Sequence, residues 1–242
     1  GDINEEQTKE SLKAISANWK PVSVKIPEYT ELTAPEKATV YFYDVPGAKQ
    51  SVIKIGAPAL KATDTDFYKA EVMNYRLGGG SFASQLTQQL REGKGYTYGI
   101  RSRFNGSNLV GPFEISSGVR SNITFEAVDL IKDILENYSE SLTPLDLEVT
   151  QSFMIKSNAR KFETLGAKLN MLSDIHSYKY SPDYIKQREV EVNNLSLEDL
   201  KMLAEKYVDP NKMYYLIVGD AATQLDKLDE LGFGEPILLN EK

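Results

Sequence analysis

Hydrophobic and polar residues follow one another along this chain in blocks, and the period of each block predicts an element. Residues 4–18 set Leu12 and Ile15 on one face against Glu, Lys and Gln on the other, the pattern of an amphipathic helix, and Pro21 stops it. Residues 21–37 hold three prolines and little period, and read as an extended linker. Residues 38–44 (ATVYFYD) and 50–56 (QSVIKIG) are rich in aromatic and β-branched residues. With the Pro46-Gly47 turn between them they predict an antiparallel hairpin. Phe67, Ala70, Met73 and Leu77 form the stripe of a helix over 65–77, ended by Gly78-Gly79-Gly80. A short helix over 81–91 follows, with Phe82, Leu86 and Leu90 four residues apart. Residues 96–104 alternate as a strand, Asn105-Gly106 marks a turn, and 111–119 returns as its partner.

From Asn122 the pattern turns helical, with Phe125, Val128, Ile131, Leu135 and Tyr138 on one stripe. Thr143-Pro144-Leu145-Asp146 opens a helix expected to reach about Glu163, because threonine caps, proline suits the first turn and the acid completes a capping box. Shorter helices are expected over 166–178 and 183–193. Ser196-Leu197-Glu198-Asp199 caps another that runs through Tyr207, a strand covers 212–218, and a last helix covers 222–231. Strands and helices come in runs rather than in strict alternation. The expected fold is therefore α+β: a two-layer sandwich of a mostly antiparallel sheet covered by helices. The expected division is a terminal helix over 1–20 left from a preceding domain, a linker over 21–37, and one domain over 38–242.

Composition narrows the chemistry. The 242 residues are enough for a real core. A formal net charge of -7 argues against a nucleic-acid partner, which needs clustered Lys and Arg, and against an anionic membrane surface. No run of about 18 apolar residues occurs, so no membrane insertion is expected. There is no cysteine, which excludes thiolate catalysis and cysteine metal sites. The chain has one histidine, His176, so it cannot supply the two imidazoles of an HExxH or HxxEH zinc site. A half-exposed helical histidine is the plainer reading of His176. A start at Gly1 rather than Met, followed by the polar residues 2–6, reads as a segment cut from a longer chain or a processed terminus.

Familiar motifs fail on context. Gly78-Gly79-Gly80-Ser81-Phe82-Ala83 fits GxGxxA, but a helix precedes it where a dinucleotide site needs a strand. Gly79 to Ala83 misses the GxSxG elbow at its last position, and Asp64-Thr65-Asp66 lacks the further ligands of a calcium loop. One pairing stands out. Arg91 ends a helix, Tyr98 lies early in a strand, and a glycine-containing reversal joins them. A guanidinium fork and a phenol brought to one region from two rigid elements could hold a peptide carbonyl and stabilise its oxyanion. A surface arginine and an ordinary sheet tyrosine are the bland alternative.

The run LGGGSFASQLTQQLREGKGYTYGI closely resembles the core motif of the pitrilysin/insulinase family of zinc peptidases, and the resemblance extends over most of the chain. It implies the non-zinc-binding C-terminal half of a two-half enzyme. The opening helix through Trp19 would then be the end of the preceding domain. No metal would bind here, and Zn would sit in an HxxEH-bearing domain or subunit that is this chain's partner. The resemblance makes Arg91 and Tyr98 the residues that contact a peptide substrate near the scissile bond. It makes Gly79, Gly80 and Ser81 part of the substrate-binding chamber wall. Two other readings stay open: a degenerate member serving assembly or binding, and an inactive subunit paired with a separately encoded zinc chain.

Overall fold

The computed structural model describes residues 2–25 and 27–239; Gly1, on which the reading of the chain start rests, lies outside them. The strands are β1 (Thr39–Asp44), β2 (Gln50–Leu60), β3 (Thr97–Phe104), β4 (Gly111–Arg120), β5 (Tyr214–Gly219) and β6 (Ile237–Leu239). The helices are α1 (Glu5–Asn18), α2 (Phe67–Asn74), α3 (Thr124–Glu136), α4 (Tyr138–Ser141), α5 (Pro144–Ser157), α6 (Leu165–Tyr178), α7 (Tyr184–Asn194), α8 (Leu197–Tyr207) and α9 (Ala221–Gln224).

The strands form one sheet in the order β3-β4-β2-β5-β1-β6. The contacts β3–β4, β4–β2 and β2–β5 are antiparallel, and β5–β1 and β1–β6 are parallel. Side chains alternate across the pleat. Val40, Phe42, Ile53, Ile55, Ile100, Phe113, Ile115, Tyr215 and Ile217 are buried among the core residues. Val128, Ile131 and Leu135 of α3 belong to the same core. Tyr138 is fully buried, and its hydroxyl donates to the Met73 carbonyl at 2.6 Å. The sheet-and-helix sandwich expected from the sequence is the observed architecture.

The hairpin expected from 38–44 and 50–56 does not form, because β5 lies between β1 and β2. Their connection instead wraps the end of β5: Val45 N–H donates to the Gly219 carbonyl at 2.6 Å and Gly47 N–H to Asp220 Oδ1 at 2.9 Å. Alternation reports which face of a strand is buried, not which strand lies beside it. β2 also runs on to Leu60, and β6, exposed at all three positions, had no period to betray it.

The helix expected over 81–91 is divided. Ser81–Ala83 is a single 3₁₀ turn, Ser84 is extended, and Thr87–Gly93 is wound as a π-helix. The α2 stripe likewise continues through a π-turn, Tyr75–Gly79, that takes in two of the three glycines. The capping boxes at Thr143 and Ser196 are present as expected, but α5 tightens into a 3₁₀ segment over Asn158–Phe162. The helix expected at 222–231 is the short α9 followed by a 3₁₀ run over Asp226–Leu231. α1 buries no residue and leaves Leu12 and Ile15 exposed.

Candidate functional site

The site residues named from the sequence lie where the π-turn, the π-helix and β3 meet. Gly78 explains the close approach of these elements. A Cβ there would stand 2.6 Å from the Ser102 backbone nitrogen, so no larger residue fits against β3. Asn74 fastens the same contact. Its Nδ2 donates to the Ser102 carbonyl at 2.9 Å, and the Ser102 hydroxyl donates back to its Oδ1. Arg76 ties the turn to α5 through Asp146, Nε to Oδ1 at 2.6 Å, and donates to the Ala83 carbonyl. Burial pushes the Asp146 carboxyl up, but hydrogen bonds from Thr143 and the Arg76 charge outweigh it and hold the group below the usual range.

Tyr98 is placed by a β-bulge. The β3–β4 register shifts between Thr97 and Ile100. Thr97 Oγ1 satisfies the bulge, accepting from Gly99 N–H at 3.0 Å and lying 2.8 Å from the Gly118 carbonyl. A bulge re-aims the side chain it carries, and Tyr98 is 93% exposed. Arg91, in the π-helix, lies over the Phe82 ring, 4.8 Å from its centroid, and pairs with Glu92 at 3.3 Å. The reversal between them closes with Gly95 N–H donating to the Arg91 carbonyl at 3.0 Å and Tyr96 N–H to the Leu90 carbonyl at 2.8 Å. Gly95 sits at φ +63°, where glycine is favoured.

The glycine run has mostly local work. Gly80 N–H donates to the Tyr75 carbonyl at 2.8 Å, and exposed Ser81 adopts φ +52°, a rare conformation for a non-glycine residue. A cleft of about 890 Å³ opens between α2, α5 and β3. Gly79 lines it; Gly80, Ser81, Arg91 and Tyr98 do not. The charged residues that do line it, among them Glu71, Lys161 and Arg188, escaped the reading of the sequence. Glu71 and Asn74 on a largely buried helix were the signal available.

The described residues do not fit a zinc site. His176 is exposed in the last turn of α6, and among the described residues no three His, Cys, Asp or Glu side chains are placed to hold a metal.

A family model described as the peptidase M16 inactive domain matches residues 1–154. A curated relative from Helicobacter pylori, named non-peptidase homolog YmxG, is 24% identical over 226 residues, 91% of this chain and 50% of its own length. An uncharacterized zinc protease from Streptomyces coelicolor is 28% identical over 125 residues, 51% of this chain and 27% of its own length. The crystal structure of a peptidase M16 inactive domain from Pseudomonas fluorescens superimposes with a TM-score of 0.78 at 22% identity, covering 93% of this chain and 53% of that one. The chain thus spans half or less of the curated relatives it matches.

Proposed function

The chain belongs to the peptidase M16 family as its inactive domain, and from that premise we propose that it is the substrate-gripping half of a zinc peptidase whose metal ligands lie in an HxxEH-bearing partner half. The carrying observation is the bulge that sets Tyr98 out into solvent, on the same reversal as Arg91. An almost fully exposed tyrosine contributes little to its own domain. Its phenol is a single donor on a stiff ring, suited to a carbonyl oxygen brought up from outside. Arg91, stacked on Phe82, offers guanidinium donors toward the same incoming peptide. In this reading the two residues hold the scissile carbonyl as its oxygen gains charge, once the halves close. Gly79, Gly80 and Ser81 shape the chamber wall beside them.

In the assembled enzyme Tyr98→Phe is expected to lower turnover by roughly 10²-fold, the cost of one oxyanion donor. A change below about threefold would show that Tyr98 only fills space. The second reading is a member that has lost peptidase activity and serves as a binding module. It draws support from the relative named a non-peptidase homolog, which aligns over nearly all of this chain. An HxxEH motif roughly two hundred residues upstream of Arg91 in the same reading frame, a spacing judged from domain size, favours the active form. A neighbouring gene carrying the motif instead favours a two-chain enzyme.

A further inference from the structure

The cleft between α2, α5 and β3 holds charges that its own walls leave unmatched. Glu114, on the β4 side, is neutralised by Lys54 at 2.9 Å and Arg103 at 3.3 Å. Glu71 of α2, Lys161 of the 3₁₀ segment after α5, and Arg188 of α7 line the same space. None of the three side chains has a hydrogen bond or close ion pair among the described residues. Arg188 is stacked among the rings of Tyr68, Tyr184 and Tyr180 at 4.4, 5.0 and 5.1 Å. Ring faces fix a guanidinium but leave its in-plane N–H donors unfilled. Burial and the nearby Arg188 charge press the Lys161 amine below its ordinary range, and burial raises the Glu71 carboxyl. Asp174 acts on both groups through space but does not line the cleft.

We propose that this cleft is a binding site for a peptide carboxylate, held between Lys161 and Arg188. Two part-buried cations that repel each other want one anion between them. Arg101 of β3 adds a further cation to the lining, while Glu71 faces the same space and would repel a second negative charge brought close to Lys161 and Arg188. The stacked pair Tyr75 and Phe153, ring centroids 4.5 Å apart, gives the body that bears the carboxylate an apolar wall. The choice of a peptide as that body rests on the functional reading above. The carboxylate could be a chain terminus or an acidic side chain.

The test is calorimetric titration of this 242-residue chain with three peptides: acetyl-Ala-Ala-Ala-Ala-Phe as the free acid, the same peptide as its amide, and acetyl-Ala-Ala-Glu-Ala-Phe amide. At least one carboxylate peptide is expected to bind about tenfold or more tighter than the uncharged amide, and which one does so identifies the source. Lys161→Gln and Arg188→Gln are expected to remove that preference, and Arg188→Lys to keep part of it. Circular dichroism melts confirm folding, and Lys161→Gln, away from the tyrosine cage, serves should Arg188→Gln unfold. Equal binding of acid and amide, no binding at millimolar peptide, a preference that survives Lys161→Gln, or displacement by equimolar inorganic phosphate would each overturn the proposal. No zinc half is present in this titration, so its failure leaves the Tyr98 reading standing. A silent Tyr98→Phe enzyme likewise leaves the carboxylate site standing.

Discussion

The two ends of β3 contrast sharply. From Ile100 to Phe104 the strand is fastened to its surroundings: its inward residues are buried, the Ser102 carbonyl is taken by Asn74, and Gly78 presses on the Ser102 backbone. At Thr97–Gly99 the Thr97 hydroxyl accepts from Gly99 N–H and reaches the Gly118 carbonyl of β4, and Tyr98 turns to solvent. The fastened end lies at the edge of the sheet, where bare N–H and C=O groups would otherwise invite another strand. One strand therefore supplies both the anchor and the presenting tip. A tip is useful for gripping a peptide only if the strand behind it does not move.

Breaking the fastened end should have the largest effect. Gly78→Leu must drive β3 away from the π-turn, and a loss of about 3 kcal/mol or more in urea unfolding is expected. Tyr98→Phe in the same experiment should stay within about 0.5 kcal/mol, since almost all of its side chain is already in water. Equal losses for the two would erase the contrast. Asn74→Ala leaves the Ser102 carbonyl without its donor in a buried setting, and about 2 kcal/mol is expected from the same unfolding curves. The smallest effect concerns acid. Asp146, held below its ordinary range, contributes stability that is present above about pH 4 and is lost as pH falls through its folded-state value. Thermal melts between pH 7 and pH 3 should show a steeper decline for the parent chain than for Asp146→Asn. Parallel curves would mean that the Arg76–Asp146 tie does not help to hold the turn.

Much of this was legible in the residue pattern. Runs of aromatic and β-branched residues, with alternation over 96–104, located the first five strands, and the capping signals at Thr143 and Ser196 marked two helix starts, because a cap is a local bond between residues three apart. The glycine run and the reversal joining Arg91 to Tyr98 marked the region from which the proposed site is built. The sequence could not show that 81–91 splits into a 3₁₀ turn and a π-helix, since the same apolar spacing suits either winding. Nor could it reveal the bulge that sets Tyr98 outward, which depends on a hydroxyl bonding to the neighbouring strand.

By itself the sequence determined the class of layers, the exclusion of an HExxH or HxxEH motif that follows from a single histidine, and the family that the glycine run signals. Those are matters of composition and short-range spacing. The tertiary structure alone decided that β5 separates β1 from β2, that β3 is fastened at one end and presented at the other, and that Glu71, Lys161 and Arg188 share a cleft. Each depends on segments far apart in the chain meeting in space, and a period of two or 3.6 residues carries no information about which distant segment will fill the gap.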